Sequence, residues 1–489
     1  MLLLVTLVNS LLWSAVLPFN SGNDENLHLE TARFIGEHGR LPVFGPGKDA
    51  YAYFDQELGV ARSSYALHPS LPYILGGFLI RLVPTRTDAD ILHAARLLSV
   101  AAAVATVLFA SLTAQVLFPH HLLLRLAVPV LVAFQPQFTY ITGYVNNDAF
   151  ATAAASLVVW LTVRRLLAVP GEDWMGTVSL GVALGVVILS KFNVYPIMPF
   201  AVLGYGWSRR RQLWPMLRGL ALVGLLALAV GGWWPLRNAL LYHGDWLAME
   251  TSRTAWLAVD PAYQSYAEKG FGIGSVGLLG IWWIETFDTF WAAFGPGGRH
   301  VTLGRVFYLG FALIVLSSLQ GLGRLLSQLP EKLKRRADQP RAIVFLGLAL
   351  FTTGLLLLSL VNSFVNDYQP QGRYLFPALV PISILLAVGI AHFRLAAQSS
   401  GWPLLTTGVY FIATNLLGLW GYVLPAYYPG HGTGAEVLHA VAAGNAWFFP
   451  TPVLSALALL LFAGVALVVW SLLRAFQQAS AGEHRRSDV

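Results

Sequence analysis

The chain has 489 residues, of which 56% are hydrophobic and only 11% are charged, and its mean hydropathy is +0.61. A soluble protein carries about a quarter charged residues, so this composition excludes a soluble enzyme with a single anchor and indicates a polytopic membrane protein. The formal net charge is +7, and cysteine is absent, which excludes disulfides, thiolate catalysis and cysteine-bound metal clusters.

Twelve apolar runs are predicted to cross the membrane, since a helix of about 20 residues spans the hydrocarbon core. The first run has no basic start and no small-residue cleavage site, so we expect a retained helix rather than a signal peptide. The runs are Leu2–Phe19, Leu92–Phe118, Leu122–Tyr144, Ala149–Val163, Gly176–Leu189, Val194–Trp207, Leu217–Leu236, Val306–Leu322, Ala342–Phe364, Phe376–Phe393, Pro403–Leu424 and Pro452–Leu473.

The charged residues divide unequally between the two sides of this topology. With both chain ends on one side, the connections there hold 17 basic and six acidic residues, a balance of +11, against 14 basic and 18 acidic residues, or −4, on the other. Lys and Arg flank the cytoplasmic ends of spans, so both termini are predicted to be cytoplasmic. The predicted fold class is an all-α polytopic membrane protein with two long external loops, 20–91 and 237–305. Its single transmembrane domain covers residues 1–476, and a short cytoplasmic tail follows at 477–489.

The first external loop begins with an acidic pair, Asp24 and Glu25, directly after the first span. The next segment, Leu27–Gly39, mixes apolar and charged residues as a helix on a membrane surface does, and its glycine is typical of a helix end. A second interfacial helix is predicted over Leu71–Val83. An acidic pair at a helix exit is often only a polar cap, so the pair alone does not identify a site.

A third carboxylate, Asp148, follows two asparagines at the end of the third span. Asp148 alone suits the N-cap of the next helix. Three carboxylates on one predicted membrane face, Asp24, Glu25 and Asp148, are more than capping requires. Such a group has two interpretations, which are that it binds a divalent cation through oxygen ligands or that it supplies a general base.

Three basic residues on the same predicted face would complete a site for a phosphate. Arg373 lies in a short external connection, and its guanidinium can bind two phosphate oxygens at once. Lys191 lies in another short connection, and Arg237 follows a Trp-Trp-Pro sequence at the end of a span. The alternative for each is anchoring at the membrane surface, the usual role of Lys, Arg and Trp at span ends.

The second external loop contains His243 and Asp245 near its start. Further on, aromatic residues up to Phe294 recur at helical spacing, with Glu285 and Asp288 on the other face. This pattern predicts an amphipathic helix in the interface, and a specific contact with a lipid or an acceptor is the alternative.

Together these motifs resemble the GT-C glycosyltransferases that use polyprenyl-phosphate sugars. The similarity is to the branch that contains the protein O-mannosyltransferases and the aminoarabinose transferase of lipid A. It runs from residue 20 to residue 390 and rests on the order and spacing of the motifs, and Ser70 and Pro72 depart from the family's usual His-Pro motif. The motifs are Asp24-Glu25, His68-Pro69-Ser70-Leu71-Pro72-Tyr73, Asn146-Asn147-Asp148, Leu189-Ser190-Lys191-Phe192, Arg237-Asn238 with Tyr242-His243-Gly244-Asp245, and Gln371-Gly372-Arg373-Tyr374-Leu375-Phe376-Pro377.

The resemblance implies a membrane glycosyltransferase that moves a sugar from a polyprenyl-phosphate donor to an acceptor hydroxyl, with inversion at the anomeric carbon. It implies that Asp24 is the catalytic base, and that Glu25 and Asp148 orient the sugar or hold Mg²⁺ or Mn²⁺. It assigns the donor phosphate to Arg373, then to Lys191 and Arg237. The other substrate-binding residues that it implies are His28, His68, Asn147, Tyr374, His243 and Asp245.

Two other classes stay open, a transporter or flippase of an amphiphilic lipid and a non-catalytic scaffold in envelope assembly. A proton-coupled transporter usually buries acids within its spans, and no predicted span contains Asp or Glu. The expected partners are a polyprenyl-phosphate-linked sugar, a protein, lipid or glycan acceptor and membrane lipids, with no nucleic acid. The expected location is the bacterial inner membrane, with the site on its external, periplasmic face.

Overall fold

The computed structural model describes residues 1–44, 54–55, 60–61, 65–83, 87–167, 173–259, 261–295, 301–393, 401–431, 434–445 and 447–487. Over these residues the chain is almost entirely α-helical. The helices are α1 (Leu2–Val16), α2 (Glu25–His38), α3 (Leu71–Arg81), α4 (Asp88–Leu117), α5 (Leu122–Ala133), α6 (Pro136–Thr142), α7 (Asp148–Leu167), α8 (Trp174–Ile188), α9 (Ile197–Ser208), α10 (Leu213–Gly231), α11 (Trp233–Leu241), α12 (Met249–Val259), α13 (Val276–Trp291), α14 (Arg305–Ser327), α15 (Leu329–Lys334), α16 (Gln339–Val365), α17 (Leu379–Ala391), α18 (Trp402–Leu417), α19 (Leu424–Tyr427), α20 (Ala435–Gly444) and α21 (Thr451–Ser487).

Short elements connect some of these helices. Two antiparallel strand pairs are formed by β1 (Phe54–Asp55) with β2 (Val60–Ala61) and by β3 (Ala293–Phe294) with β4 (Val301–Thr302). Segments of 3₁₀ helix cover Tyr65–Leu67, Phe192–Val194 and Gly372–Ala378, and a π-helical turn, Gly418–Val423, joins α18 to α19.

Eight stretches of the described chain are long and apolar enough to cross a membrane. They are α4, α7, α10, α14, α16, the segment Gly372–Ala391 that contains α17, the segment Trp402–Tyr427 that contains α18 and α19, and α21. The count is nine if α5 and α6, which meet at an angle of 53°, form one broken span rather than a re-entrant loop. The break falls before Pro136, which starts α6 at a position where its missing N–H is not needed.

The all-α membrane fold is confirmed, whereas the predicted count of twelve spans is not. Each predicted span coincides with a helix or a helix pair, but α1, α8 and α9 have only 15, 15 and 12 residues. A straight helix needs about 20 residues to cross the hydrocarbon core. The predicted runs for α1 and α9 were longer than the helices because they included apolar residues of the adjoining turns, whereas the run for α8 was already short.

The predicted interfacial segments and the predicted tail are also helical. Helix α2 ends at Gly39, whose φ of 68° is the left-handed conformation that glycine adopts readily. Helices α3 and α13 occupy the two segments predicted to lie in the interface. The last helix, α21, continues to Ser487, so residues 477–487 of the predicted tail extend this helix. No proline interrupts this stretch.

The exposed surface of the bundle is apolar where a lipid-facing surface is expected. Leu225 on α10, Leu309 on α14 and Leu350 on α16 are each more than 60% exposed. In contrast, Trp13 on α1 is fully buried in the main core. Large leucines on the outside of long apolar helices suit contact with acyl chains rather than water. The chain is an integral membrane protein.

Candidate active site

Four charged side chains meet at one end of the helix bundle. Nη1 of Arg373 lies 3.6 Å from Oδ2 of Asp148, and Nη2 lies 3.6 Å from Oδ2 of Asp24. Nζ of Lys191 donates a 2.6 Å hydrogen bond to Oδ1 of Asp148. We call these four residues the charged cluster, and their formal charges sum to zero.

Asp24 is the member of the charged cluster most open to solvent. Its side chain is 36% exposed, against 1% for Asp148 and 9% for Arg373. Asp148 is enclosed between two cations, whereas Asp24 has one cation on one side and open space on another. Asp24 is therefore the more accessible of the two aspartates.

The carboxyl of Asp24 is ionised at neutral pH. Burial raises the pKa of Asp24, but Arg373, His28 and the Tyr65 hydroxyl together outweigh it and hold the pKa below its ordinary value. The Tyr65 hydroxyl donates a 3.1 Å hydrogen bond to Oδ2. Burial also lowers the pKa of Lys191, and Asp148 opposes that shift. Asp24 can consequently accept a proton.

The backbone at Asp24 is strained. Its φ of 58° and ψ of 19° place it in the left-handed region, which costs a residue with a Cβ about 1–2 kcal/mol and which Asp and Asn tolerate best. The preceding turn is pressed against α6 and the residues that follow it. A Cβ on Gly22 would lie 2.2 Å from the ring of Tyr144, and the Tyr140 hydroxyl donates to the carbonyl of Ser21 at 2.5 Å.

Glu25 does not join the charged cluster. It is fully buried, and Nε and Nη2 of Arg96 donate hydrogen bonds of 2.8 and 2.9 Å to its two oxygens. The backbone N–H groups of Asn20 and Val145 donate to the same oxygens at 2.9 and 3.0 Å. These four bonds use the four acceptor positions of a carboxylate. The predicted role of Glu25 in binding sugar or metal therefore does not fit its contacts.

Arg96 completes a link between α4 and the end of α1. Its guanidinium also donates to the carbonyls of Ser14, Leu17 and Pro18, at 2.7, 2.6 and 3.0 Å. These carbonyls end α1 and have no partner within the helix. Arg96 and Glu25 together hold the turn between α1 and α2. Asp24 is the last residue of this turn, immediately before Glu25.

The N-terminus of α7 is capped by Asn146. Its Oδ1 accepts from the N–H of Ala149 at 2.8 Å, and its amide donates to the carbonyls of Ile141 and Tyr144. Asp148, which the sequence suggested as a cap, is left to pair with Lys191 and Arg373.

Arg373 is positioned by the close approach of Gly372 to α13. The Gly372 N–H donates to the Thr289 hydroxyl at 2.8 Å, and a Cβ on Gly372 would lie 2.2 Å from the nitrogen of Phe290. The side chain of Gln371 accepts from Nε of Arg373 at 2.6 Å. Nη1 and Nη2 are thereby directed at the two aspartates.

Aromatic and histidine side chains line one side of the charged cluster. The Tyr73 hydroxyl shares a 2.9 Å hydrogen bond with Nδ1 of His28 and accepts from the Asn147 amide at 3.3 Å. The Tyr65 ring lies 4.3 Å from that of His28 and stacks on that of His68 at 4.4 Å. Burial lowers the pKa of His28 well below its ordinary value and that of His68 to about 4, so both rings are neutral at pH 7.

Three buried polar atoms in or next to the charged cluster have no hydrogen-bond partner among the described residues. They are Nδ1 of His68, Oδ1 of Asn147 and Oδ2 of Asp148. Buried polar atoms are normally hydrogen-bonded, so three free ones together mark a place where a polar ligand or water is expected. Tyr374 lies in the same region, with Nζ of Lys191 at 5.5 Å and Cζ of Arg373 at 5.6 Å from the centre of its ring.

The architecture is similar to that of ArnT from Cupriavidus metallidurans. The crystal structure of that protein bound to undecaprenyl phosphate matches with a TM-score of 0.52 and 17% sequence identity, over 98% of this chain and 75% of that one. The structure of the same protein in the apo state matches with a TM-score of 0.49 and 18% sequence identity, over 96% of this chain and 74% of that one. The chain has the fold of ArnT. No protein-family model and no curated protein matches the sequence.

Besides Glu25, three predicted site residues have their contacts elsewhere in this ArnT-like fold. Arg237 donates to the carbonyl of Pro42 at 2.6 Å and lies over the ring of Trp234. Asp245 accepts from the backbone at the start of α12, and His243 lies in the turn before it. Among the described residues no hydrogen bond or ion pair links these three to the cluster.

The turn that contains these residues instead supports the loop of Tyr65. Tyr242 and Ala248 pack against Leu67, two residues after Tyr65. The Tyr242 hydroxyl accepts from the backbone N–H of Phe44 at 3.2 Å.

The sequence reasoning missed Arg96, Tyr65 and Tyr73 as parts of the site. The position of Arg96 was a signal, because an arginine inside an apolar span needs a buried acidic partner. The nearest acids in the sequence lie in the first external loop, so the partner was to be sought there. Tyr73 stood within the His-Pro motif, but its contact with His28 depends on how α2 and α3 pack. Tyr65 had no signal in the sequence around it.

Proposed function

We propose that the protein is a membrane glycosyltransferase that moves a sugar from a polyprenyl-phosphate donor to an acceptor hydroxyl. The observation that carries this proposal is the charged cluster, in which an accessible ionised carboxylate lies within 3.6 Å of a guanidinium. Displacement of a phosphate from an anomeric carbon requires a base for the attacking hydroxyl and a cation for the departing phosphate, and the charged cluster holds both side by side. The similarity to a fold whose ArnT structure contains undecaprenyl phosphate supports the choice of donor.

Asp24 acts as the general base. It takes the proton of the acceptor hydroxyl while the hydroxyl oxygen forms a bond to the anomeric carbon, and the bond from that carbon to the phosphate oxygen breaks. A single displacement inverts the anomeric configuration. A phosphate near Arg373 also offsets the positive charge that keeps the pKa of Asp24 low, so donor binding makes Asp24 a stronger base.

Arg373 and Lys191 stabilise the leaving group. The electron pair of the broken bond remains on the phosphate, whose negative charge increases by one as the sugar leaves. Cations already placed beside that oxygen stabilise the charge as it develops, without reorganising at the moment of reaction. Asp148 positions both cations through contacts of 2.6 and 3.6 Å and does not itself exchange a proton.

The neutral side chains around the cluster bind the sugar. His28, His68, Asn147 and Tyr374 present donors and acceptors, and free atoms on His68 and Asn147 remain available for hydroxyl groups. The aromatic ring of Tyr65 offers an apolar face on the same side. These groups select the sugar by matching their donors and acceptors to its hydroxyl groups.

The side chains of the site do not fit a resident Mg²⁺ or Mn²⁺. Within the described part of the chain, no group of three or more His, Asp or Glu residues is arranged to hold a metal ion. Glu25 is occupied by Arg96, and Asp148 is paired with Lys191 and Arg373. We derive no catalytic step through a metal.

The charge distribution favours an enzyme over a transporter or flippase. In the described spans the charged side chains lie near the ends of the helices, as Arg96, Asp148 and Arg373 do, and the central turns carry none. A pathway for an ionised substrate across the bilayer normally needs ionisable groups along its length. We place the site on the external, periplasmic face of the bacterial inner membrane, on the charge balance of the loops.

A transfer assay tests the proposed function. Purified protein is incubated with polyprenyl-phosphate sugars and an envelope extract as the source of acceptor, and the release of free polyprenyl phosphate is measured. We expect Asp24→Asn to lower turnover by about 10²–10⁴-fold, the usual contribution of a general base. Glu37→Gln, which removes an exposed acid from the same helix, should leave turnover unchanged. Equal release by Asp24→Asn and the unaltered protein would refute the role of Asp24.

A further inference from the structure

A second cluster of charge lies at the opposite end of the bundle. A cleft of 430 Å³ there is lined by Arg165, Arg209, Arg210 and Arg211, with Asp173 as the only acid among the described lining residues. We call it the arginine cleft. Residue 165 is 17 positions along α7 from Asp148, so the two sites are separated by about 25 Å of helix. The arginine cleft therefore plays no part in the chemistry proposed for the charged cluster.

The arginine cleft is built mainly from hydrogen-bond donors. Arg165 is buried, stacks over the ring of Tyr205 at 4.0 Å and donates to the hydroxyls of Thr177 and Ser208. These contacts hold its guanidinium in one orientation. Nε1 of Trp207 is buried and has no acceptor among the described residues.

Described partners within the protein use only part of the hydrogen-bonding capacity of the three consecutive arginines. Arg209 contacts Gln212, and Arg210 donates to the Trp207 carbonyl and to Gln339. Arg211 makes no hydrogen bond or ion pair with any described residue. Guanidinium groups with unused donors bind phosphate oxygens in pairs, which a lysine cannot do.

A larger and more apolar cleft adjoins the first. It has a volume of 610 Å³, and Val116, Leu166, Leu167 and Ala337 are among its lining residues. Leu166 and Pro340 line both clefts, so the two share a wall. A basic cleft beside a more apolar cleft suits the headgroup and acyl chain of a phospholipid better than it suits a free phosphate.

We propose that the arginine cleft binds the phosphate headgroup of an anionic phospholipid, whose acyl chain lies in the adjoining apolar cleft. Basic pockets between spans on the cytoplasmic side are suited to anionic headgroups, and the loop charges place this end of the bundle there. The lipid would join α7, α9 and α16 through Arg165, Arg209, Arg210 and the region of Pro340. It would be a structural ligand of the bundle and not a substrate.

Lipid binding is measured on the purified full-length protein. Native mass spectrometry gives the dissociation constant for added phosphatidylglycerol, with phosphatidylcholine as the neutral comparison. We expect phosphatidylglycerol to bind more tightly than phosphatidylcholine. The triple variant Arg209→Gln, Arg210→Gln, Arg211→Gln should lose this preference, and the single variant Arg211→Gln, which removes no contact within the protein, should weaken binding roughly tenfold. Arg218→Gln, an exposed arginine at the same end but outside both clefts, should bind as the unaltered protein does.

Thermal stability gives an independent result. Phosphatidylglycerol should raise the Tm of the unaltered protein and of Arg218→Gln, and should not raise that of the triple variant. Unchanged lipid preference in Arg211→Gln and in the triple variant would overturn the proposal. The same rise of Tm with inorganic phosphate in place of lipid would also overturn it, because that result indicates a site for a free anion.

Discussion

Nη2 of Arg373 and Oδ2 of Asp24 lie 3.6 Å apart, close enough for strong attraction but beyond the ~3.2 Å limit of an N–H···O hydrogen bond. The same guanidinium stands equally far from Asp148. Arg373 therefore balances two carboxylates while its terminal N–H groups make no short bond to either. A phosphate that approached it would gain those donors without first breaking a hydrogen-bonded ion pair.

The first prediction concerns Arg373. Arg373→Lys keeps the charge but loses the two-pronged geometry, so we expect partial activity, and Arg373→Ala should retain very little. If the residue acts on the leaving group, kcat falls; if it only anchors the donor, KM rises and excess donor restores the rate. Steady-state kinetics with a lipid-linked sugar separates the two. An Arg373→Ala enzyme with unchanged kcat and unchanged donor KM would show that this arginine has no contact with the donor.

The pH dependence of kcat/KM should be flat on its acidic side down to about pH 5. The base must be deprotonated, and the pKa of Asp24 lies below its ordinary value, so the active form is lost only as the pH falls through that low pKa. The pKa of His68 is about 4, so this ring gains no proton in this range, and burial holds the pKa of His28 well below its ordinary value. An acidic limb with its midpoint near pH 6.5 would instead indicate a histidine base of ordinary pKa.

Glu25→Gln should lower the stability of the folded protein and should not act on a single catalytic step. It leaves the buried guanidinium of Arg96 without its counter-ion, which typically costs about 3–5 kcal/mol. Differential scanning fluorimetry should show a lowered Tm, and turnover should fall with it. Asp24→Asn is the matched comparison, since asparagine tolerates the left-handed backbone and should keep the Tm. Unchanged Tm with lost turnover in Glu25→Gln would assign Glu25 a chemical role.

The topology is open to direct labelling because the chain has no cysteine. We expect Glu37→Cys, on the exposed face of α2, to react with a membrane-impermeant maleimide from outside intact cells. Arg211→Cys, at the other end of the bundle, should react only after the membrane is permeabilised. The reverse pattern would place the charged cluster in the cytoplasm.

The helices and their order were predictable because apolar runs of near-span length are a strong local signal. The lengths of the helices were less predictable than their order. Helix α1 stops at Val16 although the apolar run continues to Phe19, and the third span bends before Pro136, so single apolar runs did not show where a helix ends. Segments of α2 and α3 were found from their caps and periodicity.

The site was predictable in its charged members and not in its connections. Asp24, Asp148, Lys191 and Arg373 stood out as charges at span ends, and the structure brings these four together. Glu25 looked equivalent to Asp24 in the sequence, but the two adjacent side chains point to different partners because Asp24 is the left-handed residue before α2 and Glu25 is the first residue of that helix. Arg237 was predicted as a weaker candidate than Arg373 for the phosphate, and its contacts with Pro42 and Trp234 depend on tertiary packing.

Binding of a polyprenyl phosphate at Arg373 is the claim on which the proposed function depends most directly. The decisive measurement is an electron cryomicroscopy structure of the purified protein with undecaprenyl phosphate. We predict density for the phosphate within hydrogen-bond distance of the Arg373 guanidinium and close to Nζ of Lys191, with Asp24 facing it. Headgroup density at Arg237 or in the arginine cleft, with no density at the charged cluster, would contradict the assignment of this cluster as the donor site.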